Sequence, residues 1–390
     1  MTVRHILLFE MRSVCYDSYI YFAESLASAL RALGHAVEIF SLLEHTVDDL
    51  ENYCHRSFDA MIDFNSTLPS FMMEDGSYFL DQIDAPFYDI LLDHPLYHHN
   101  MLRQPLQNFH VLCLDENHVR YVRSCYPHIR SAFFWAVTGE DLCPSDPSYP
   151  EKEIPLLFSG TYTSSAEIED AIEKTPSFLA KLTHTLIDQI LADDGLTQED
   201  ALMQSLPSLD EAEQSMIREN FPLHMQACFL CDSWIRAYKR EQLLSAIIHA
   251  SLPLTLCGNG WQKFPDASAA HVRIISDMSF ADTFSLFRRS QITLNLLPEF
   301  KNGTHDRIYS ALLNHSLCAT DASPLLQTQF TDSRDLLFFD ARNPEALTGH
   351  LQTLLADPDR LEEISQSGYA AAIRSHTWNS RATALLDCLQ

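Results

Sequence analysis

A short loop in the last third of the chain concentrates polar side chains that could bind an anion. It follows a predicted strand at 292–297 and leads into a predicted helix at 306–314, with another strand at 317–320. Its residues are Asn302, Gly303, Thr304, His305, Asp306 and Arg307. In a parallel sheet, ligands bind beyond the carboxyl ends of the strands, and helix N–H groups there suit a phosphate. The alternative is a capped helix with Thr304 as its N-cap.

Three other strand ends in the same half of the chain carry residues suited to a ligand. They are Ser159-Gly160-Thr161, Gly258-Asn259-Gly260-Trp261 and Asp321-Ala322-Ser323. Glycine lets a backbone approach a ligand closely, and the Trp261 ring could stack on a base or a sugar. Each feature alone is a common turn, but their recurrence at strand ends indicates one ligand edge. The cations Arg236, Lys239 and Arg240 lie close together on a predicted helix.

In the first half of the chain, the residues that could do chemistry follow the first and fourth predicted strands. Glu10 and Arg12 come after the first strand, with Asp17 soon after them, and Asp93 and His94 follow the fourth. A histidine beside a carboxylate could act as a general base, or it could hold the loop that follows. Neither G-x-S-x-G nor a P-loop sequence occurs, so the sequence does not support an esterase-type nucleophile or a P-loop nucleotide site.

Metal binding has weaker support. His98 and His99 lie close to His94, but adjacent side chains point apart in most backbones. Cys228 and Cys231 form a C-x-x-C pair within a predicted helix, 223–250, without a second pair. The other cysteines are scattered singly, as expected of reduced, buried thiols. We therefore expect no metal.

The predicted elements place these residues on two parallel sheets. Six strands alternate with helices in residues 1–143, at 6–9, 36–42, 59–64, 87–92, 109–114 and 131–135. After a proline-rich linker, 144–153, strands are predicted at 154–158, 252–257, 272–275, 292–297, 317–320 and 336–338. A helical insertion, 165–250, separates the first two strands of this second domain, 154–375. This alternation predicts an α/β fold with two doubly wound sheets, and a last helix at 376–390 that could pack back on the first domain.

Composition limits the partners. The chain has 390 residues, enough for two domains, and a formal net charge of -27. This charge disfavours nucleic acid and anionic membranes as partners. No apolar run is long enough to span a bilayer, and the N-terminus has the pattern of a first strand, not of a signal peptide. These features predict a cytoplasmic protein.

Several stretches together resemble a known family. In the second half they are RAYKREQLLSAI (236–247), LTLCGNGW (254–261), LNLLPEFKNGTHDRIYSALLNHSLCATD (294–321), and GYAAAIRSHTW (368–378) with Arg381. In the first half they are LLDHP (91–95) and LDENHVRYVRSCYP (114–127). On these residues the chain resembles the GT-B glycosyltransferases, and among them the CgeB-type proteins with a glycosyltransferase-family-1-like domain. The resemblance covers most of the chain except the helical insertion, and it implies two Rossmann-like domains facing a cleft.

The resemblance also implies a function. A nucleotide-sugar donor, linked to UDP, GDP or dTDP, would bind the second domain, and a protein or glycan acceptor would contact mainly the first. Lys239, Arg240 and Arg307 would then bind the diphosphate without a metal, since basic side chains and helix N-termini can stabilise this leaving group. The donor pocket would be shaped by Ser159, Gly160, Thr161, Gly258, Gly260, Trp261 and the loop 302–307. Catalytic candidates on the acceptor side are Asp17, Asp93 and His94.

One departure from the family concerns the loop 302–307. Many retaining GT-B enzymes carry two glutamates at this loop and the following helix, and in alignment Asn302 and Ser310 occupy their positions. Asp306 and Arg307 could replace the ribose-binding carboxylate. Two alternatives therefore stay open: a catalytically silent scaffold that binds a sugar or a partner glycosyltransferase, and another enzyme of this fold, such as an epimerase or a phosphorylase. The helical insertion could recognise the acceptor or form an oligomer.

Overall fold

The computed structural model describes residues 2–11, 16–145 and 148–389, so Arg12 lies outside the described residues. The first sheet consists of β1 (His5–Glu10), β2 (Ala36–Ser41), β3 (Ala60–Phe64), β4 (Phe87–Leu91), β5 (Phe109–Cys113) and β6 (Ser131–Phe134). The second consists of β7 (Ile154–Ser159), β8 (Leu254–Cys257), β9 (Val272–Ile275), β10 (Ser290–Leu294), β11 (Leu317–Asp321) and β12 (Leu337–Phe339). Both sheets are parallel throughout, and the predicted strands are confirmed to within a few residues at each end.

Helices cover both sheets. Those before β7 are α1 (Ser18–Ala32), α2 (His99–Leu102) and α3 (Glu116–Cys125). Between β7 and β8 lie α4 (Ser165–Ile172), α5 (Ser177–Ala192), α6 (Gln198–Ser205), α7 (Glu211–Glu219), α8 (Phe221–Ala227) and α9 (Phe229–His249). The remaining helices are α10 (Thr283–Arg289), α11 (Asp306–Leu313), α12 (Pro324–Gln329), α13 (Pro344–Leu355), α14 (Pro358–Ser375) and α15 (Trp378–Cys388). None of the described helices is long and apolar enough to cross a membrane.

Two details of the helices differ from the predictions. The helix expected at 223–250 is broken at Cys228 into α8 and α9, since the backbone of Cys228 leaves the helical conformation, with a φ of -89° and a ψ of 19°. His305 occupies the N-cap position of α11, with an extended backbone of φ -132° and ψ 144°. Thr304 is therefore not the N-cap; its side chain is fully buried in the preceding loop.

Each sheet has one point where the order of its strands reverses. In the first sheet the order is β2-β1-β3-β4-β5-β6, so the chain changes direction between β1 and β3. In the second sheet the order is β12-β11-β10-β7-β8-β9, and the reversal falls between β7 and β10. The connections on the two sides of such a point leave in opposite directions, which opens a crevice at the carboxyl ends of the strands. The fold thus provides one natural ligand crevice in each sheet.

The described chain divides into two compact units. The first is Met1–Val137 with Thr377–Gln390, and the second is Thr138–His376. The last helix, α15, belongs to the first unit: Trp378 packs beside Phe22 of α1, with 6.0 Å between ring centroids, and Trp135 Nε1 donates to the Arg381 carbonyl at 3.0 Å. Leu385 of α15 is fully buried, so this helix completes the core of the first unit.

The segment that includes the predicted linker is held on the second unit. Asn314, at the end of α11, donates from Nδ2 to the Glu140 carbonyl at 2.7 Å. Lys152 Nζ donates to the carbonyls of Arg288 and Asn314, at 2.8 and 3.2 Å. The chain therefore passes from one unit to the other at Val137–Thr138, whereas the sequence placed the linker at 144–153. The proline-rich stretch therefore belongs to a segment of the second unit, which Lys152 anchors to the carbonyls at the ends of α10 and α11.

Candidate ligand site of the second unit

The crevice between β7 and β10 brings together residues from distant parts of the sequence. Strand β7 ends at Ser159 and is followed by Gly160, while β10 ends at Leu294 and is followed by Asn295. Asn295 is fully buried, and its Nδ2 donates to Thr320 Oγ1 at 3.0 Å. Because β7 and β10 pair directly, Gly160 and Asn295 lie at the same edge of the sheet.

Three backbone conformations at this edge require glycine. Gly160, Gly258 and Gly260 have φ angles of +153°, +124° and +88°. A Cβ on Gly258 would lie 2.5 Å from the Gly160 carbonyl O, and one on Gly260 would lie 2.4 Å from the carbonyl O of Tyr162. The glycines therefore let the loop after β8 pack directly on the loop after β7. Their immediate role is this backbone contact, which fixes the shape of the crevice wall.

Two guanidinium groups meet beside Gly160. A Cβ placed on this glycine would lie 3.7 Å from Arg307 Nη2 and 3.9 Å from Arg240 Nη2. Both groups also lie over the ring of Phe158, with 5.4 Å from the Arg240 Cζ and 5.8 Å from the Arg307 Cζ to the ring centroid. We call Arg240 and Arg307 the arginine pair. They come from α9 and α11, which are 67 positions apart in sequence, so only the fold places them together.

The arginine pair is positioned by neutral groups. Arg240 donates from Nη1 to the carbonyl of Thr161, and Arg307 donates from Nη1 to Asn295 Oδ1 at 2.7 Å. Within residues 2–11, 16–145 and 148–389, neither guanidinium forms an ion pair with a carboxylate. Two positive charges held side by side without such a partner make a site that an anion would complete.

The electrostatics of the pair agree with this arrangement. Burial, together with the nearby charges of Arg307 and Arg236, lowers the pKa of Arg240 to about 9. Burial also lowers the pKa of Arg307, although the Asp306 carboxylate acts in the opposite direction. Desolvation and like charge both disfavour the charged forms. A bound anion would reduce the repulsion between the two guanidinium groups and would offset their desolvation.

The loop before α11 supports the pair. His305 Nδ1 lies 2.7 Å from Asp306 Oδ1, and this contact together with the charge of Arg307 outweighs burial and lowers the pKa of the Asp306 carboxyl. The buried Gly303 accepts a hydrogen bond at its carbonyl from Ser323 Oγ at 2.7 Å. Asn302 and Thr304 precede the same helix N-terminus. The structure thus brings the predicted loop 302–307 to the crevice, with Arg307 as its cationic end.

Ser310 does not replace a ligand-binding carboxylate. It is fully buried on α11, and its Oγ donates to the Asp306 carbonyl at 2.9 Å. A Cβ on Gly139 would lie 2.3 Å from this hydroxyl oxygen, so the segment after β6 passes directly over the helix at Ser310. A glutamate side chain has no room there. The missing glutamate is explained by packing between Gly139 and α11.

Three predicted ligand residues have other roles. Lys239 is buried and forms an ion pair with Asp194, so its charge is already neutralised; burial lowers its pKa to about 8. Trp261 is fully buried, its ring stacks on Tyr162 at 5.2 Å between centroids, and its Nε1 donates to the Gly160 carbonyl at 2.8 Å. It supports the crevice from inside the core and offers no open face to a base. Asp321 accepts from the amide of Leu297 at 2.7 Å, which holds the loop after β10.

The predicted histidine of the first unit, His94, contacts its own loop and a neighbouring histidine. His94 is 5% exposed, caps a short 3₁₀ turn by accepting from the amide of Leu96 at 3.0 Å, and lies with its ring 4.4 Å from that of His118. Its neighbour Asp93 accepts from Asn65 Nδ2 at 2.9 Å. Asp17 is exposed and has a left-handed φ of +65° just before α1.

One group of three side chains among the described residues could hold a metal ion, and it lies in the helical insertion. Glu169 and Glu173 of α4 and His184 of α5 bring their ligand atoms within 4.8 Å of one another. His184 Nε2 lies 2.7 Å from Glu169 Oε1. No such group includes His98 or His99 in the part of the chain that the structure describes. Cys228 and Cys231 are buried, and burial raises the pKa of both thiols.

Two residues of the site escaped the sequence analysis. Asn295 orients Arg307, and Phe158 lies beneath both guanidinium groups. Phe158 lies within an apolar strand and Asn295 directly follows one. In such a run, one residue that contacts the site has no pattern of its own. A signal was present for Asn295: it is the first polar side chain after the β10 pattern, at the position where parallel strands present ligands.

Comparison with known proteins defines the class of this fold. The architecture is that of the GT-B glycosyltransferases. An alpha-glucosyltransferase in complex with UDP and a DNA containing a HMU base matches with a TM-score of 0.60 and 10% identity, covering 100% of both chains. T4 phage beta-glucosyltransferase matches with a TM-score of 0.54 and 10% identity, covering 99% of both chains. HepE from Anabaena, in complex with UDP and glucose, matches with a TM-score of 0.52 and 11% identity, covering 99% of both chains. The predicted GT-B fold is confirmed.

The sequence comparison is more local. Residues 236–387 match the family model described as glycosyl transferase-like. This range contains both members of the arginine pair and the loop 302–307. A search of the curated proteins finds no match. The prediction of a glycosyltransferase is confirmed at the level of this domain and fold, while the CgeB-type subfamily stays a prediction.

Proposed function

We propose that the chain transfers a sugar from a nucleoside-diphosphate sugar to a hydroxyl group of an acceptor. The observation that carries this proposal is the arginine pair. It consists of two half-buried guanidinium groups that share the ring of Phe158 and the edge of Gly160, and their hydrogen bonds go to the neutral oxygens of Thr161 and Asn295. A diphosphate fits this site because its oxygens can accept from both groups at once.

The same geometry suggests how transfer would be accelerated. When the bond between the anomeric carbon and the diphosphate oxygen breaks, the electron pair leaves with the diphosphate. The arginine pair and the N-terminus of α11 would stabilise that developing charge. The acceptor oxygen forms the new bond to the anomeric carbon and loses its proton. Because the protein supplies fixed positive charges, we propose that transfer needs no metal.

The donor and acceptor classes follow from similar arguments. UDP is named in the matched alpha-glucosyltransferase and HepE structures, which favours a UDP-linked donor over a GDP- or dTDP-linked one. Two of the matched structures concern enzymes that modify or bind DNA. This chain, with a net charge of -27, would repel a polyanion. We therefore propose a protein or glycan acceptor.

The test is a panel of nucleotide sugars incubated with the protein in the presence of EDTA. Release of free nucleoside diphosphate is measured with and without candidate glycan and peptide acceptors. We expect one donor to be hydrolysed slowly and its sugar to be transferred faster when the right acceptor is present. The Arg374→Ala variant, which removes an exposed arginine at the end of α14, is the matched control and should behave as wild type.

Two results would contradict the proposal in different ways. Donor binding without any release of nucleotide would support the silent scaffold, which the absence of the family's glutamate pair favours. If no nucleotide is released and no nucleotide sugar shifts the melting temperature, the proposed donor site is ruled out. Activity that is lost in EDTA and restored by a divalent cation would overturn only the metal-free mechanism.

A further inference from the structure

The helical insertion contains three neighbouring metal-ligating side chains that no role proposed so far explains. Glu169 lies on α4, Glu173 directly follows the last residue of that helix one turn further on, and His184 lies on α5. Each offers one ligand atom, and the three atoms lie within 4.8 Å of one another. We call these three residues the insertion cluster. None of them is among the residues of the crevice between β7 and β10.

The distances within the insertion cluster suit a small divalent cation. His184 Nε2 lies 2.7 Å from Glu169 Oε1 and 3.7 Å from Glu173 Oε1. Zn²⁺ holds nitrogen and oxygen ligands at about 2.0–2.2 Å in a tetrahedron, so its ligand atoms lie about 3.3–3.6 Å from one another. The two observed distances lie on either side of this range. Side-chain movements of about half an ångström would therefore place these atoms around a metal ion.

The negative charge of the insertion cluster is not balanced by a lysine or an arginine. Among the residues that the structure describes, neither Glu169 nor Glu173 forms an ion pair with such a side chain, and both contact His184. Two carboxylates four positions apart on one helix face repel each other. The chain as a whole already has a net charge of -27. A divalent cation would remove this repulsion and would take the imidazole as a third ligand.

The insertion cluster is open to solvent, yet it is built on packed helices. The side chains of His184 and Glu169 are only half-buried, so an ion can reach their ligand atoms. Ile172 of α4 and Leu186 of α5 are fully buried, which fixes the two helices that carry the cluster. Sites on packed helices hold their ligands more precisely than sites on loops. The backbone positions of the three ligands are therefore set before any ion binds.

The ligand atoms of the insertion cluster indicate the class of metal. One imidazole nitrogen and two carboxylate oxygens are ligands that Zn²⁺ and neighbouring first-row metals accept. Mg²⁺ and Ca²⁺ prefer oxygen ligands alone and take more of them. Three protein ligands also leave one tetrahedral position open, which a water molecule can fill. The cluster therefore fits a cation of the zinc type better than Mg²⁺ or Ca²⁺.

We propose that Glu169, Glu173 and His184 bind one divalent cation of the zinc type, with water as the fourth ligand. The ion would join α4 to α5 across 15 positions of sequence and so would stabilise the helical insertion. It would take no part in sugar transfer, because its ligands are not residues of the crevice. This inference does not depend on the proposed function, and it gives the insertion a structural metal site.

The test is isothermal titration calorimetry of the full chain with zinc chloride, after treatment with EDTA and dialysis. We expect the wild type to show a saturable site and a higher melting temperature in Zn²⁺. Glu173→Gln changes a side chain that is 66% exposed, so this variant should fold normally. It should weaken the site by at least about tenfold, because one of three ligands is lost. His184→Ala should remove the site and the rise in melting temperature.

His249→Ala is the matched control for these variants. His249 Nε2 lies 3.5 Å from Asp266 Oδ2, and its side chain is 70% exposed. The variant therefore removes a different contact between a histidine and a carboxylate at the surface. It should bind Zn²⁺ as tightly as the wild type and should show the same rise in melting temperature. Titration with magnesium chloride under the same conditions should show binding at least about tenfold weaker than with zinc.

Three results would overturn this inference. The first is no saturable binding of Zn²⁺ by the wild type at millimolar concentration, which is what an ion pair between His184 and the two glutamates alone would give. The second is unchanged Zn²⁺ affinity in both Glu173→Gln and His184→Ala, and the third is Mg²⁺ binding as tightly as Zn²⁺. The proposed function fails separately: a chain that binds Zn²⁺ but no nucleotide sugar would keep the metal site and lose the donor site.

Discussion

Arg307 connects the buried end of β10 to the open edge of the sheet. Its Nη1 donates to Asn295, which in turn donates to Thr320 on the neighbouring strand, so the guanidinium is oriented by a chain of neutral hydrogen bonds. No described carboxylate forms an ion pair with this guanidinium, although the charges of Asp306 and Glu299 oppose the lowering of its pKa by burial. Arg240 reaches the same place through the Thr161 carbonyl. The candidate site is thus a pair of oriented guanidinium groups, each hydrogen-bonded to a neutral oxygen.

Arg307→Ala should weaken nucleoside diphosphate binding by about 1.5–3 kcal/mol, because a charge-assisted hydrogen bond to a phosphate oxygen is lost. Isothermal titration calorimetry with the preferred nucleotide measures this change. Arg374→Ala removes the same charge at an exposed site and should leave the dissociation constant as it is. An unchanged constant for Arg307→Ala would take this residue out of the site.

Lys152 should make the stability of the second unit depend on pH. Its Nζ contacts two carbonyls at helix ends, yet burial, helped by the charge of Arg288, lowers its pKa from 10.5 to about 7. Between these values the unfolded chain binds more protons than the folded one, so the free energy of unfolding should rise with pH from about 7 towards 10.5.

Lys152→Met isolates this effect from other titrating groups. Urea unfolding of wild type and variant is compared at pH 7, 8 and 9. The difference in unfolding free energy between the two proteins should change with pH in the direction given, with the wild type gaining stability relative to Lys152→Met as the pH rises. A constant difference would show that Lys152 keeps an ordinary pKa in the folded protein.

At the scale of elements, the loops after β7 and β8 act as one unit. The backbone of Gly258 lies against the Gly160 carbonyl, and the Trp261 indole donates to that same carbonyl. The loop after β8 therefore sets the conformation of the glycine that lies beside both arginines. The Gly-x-Gly-Trp sequence is explained by backbone packing behind the site, not by contact with a ligand.

Gly258→Ala should destabilise the protein by roughly 1–3 kcal/mol, since φ of +124° is strained for alanine and the new Cβ would meet the Gly160 carbonyl. Nucleotide binding should weaken as well, because Gly160 must shift. Gly349→Ala in α13, where a Cβ meets nothing within 4 Å, should instead add about 0.5–1 kcal/mol. Urea unfolding gives both values. Equal stability of the two variants would show that Gly258 packs less closely than described.

Elements were predictable from the sequence wherever a local pattern determines them. The apolar run 109–114 predicted a strand correctly, because a strand buried on both faces is apolar throughout. Gly34 predicted the end of α1 correctly, because a left-handed residue after a helix is usually glycine. The break at Cys228 was missed, since the helical pattern continues through it. His305 was missed as a cap because histidine is not among the usual capping residues.

At the scale of the whole molecule, two parallel sheets each reverse their strand order once. The candidate cationic site lies at the reversal between β7 and β10. The net charge of -27 makes the arginine pair an exception to the overall field, so the proposed donor binding would depend on local charge.

The sequence alone could locate the strand ends that form the candidate site, but not the residues that meet there. It gave the loop 302–307, Arg240 and Gly160, because glycines and charges at strand ends are visible in one dimension. It could not show that Lys239, one residue before Arg240, forms an ion pair with Asp194. That contact depends on the orientation of the helix and on a residue 45 positions away. Glu10 was noted after β1, but only the fold shows that its side chain is buried.

The central claim is that the second unit holds the donor by its diphosphate. Isothermal titration calorimetry of matched pairs, UDP with uridine, GDP with guanosine and dTDP with thymidine, tests it most directly. We predict that one diphosphate binds at least 100-fold more tightly than its nucleoside, about 2.7 kcal/mol, and that Arg307→Ala removes most of this difference. A nucleoside that binds as tightly as its diphosphate, or no binding by any member of the panel, would contradict the account.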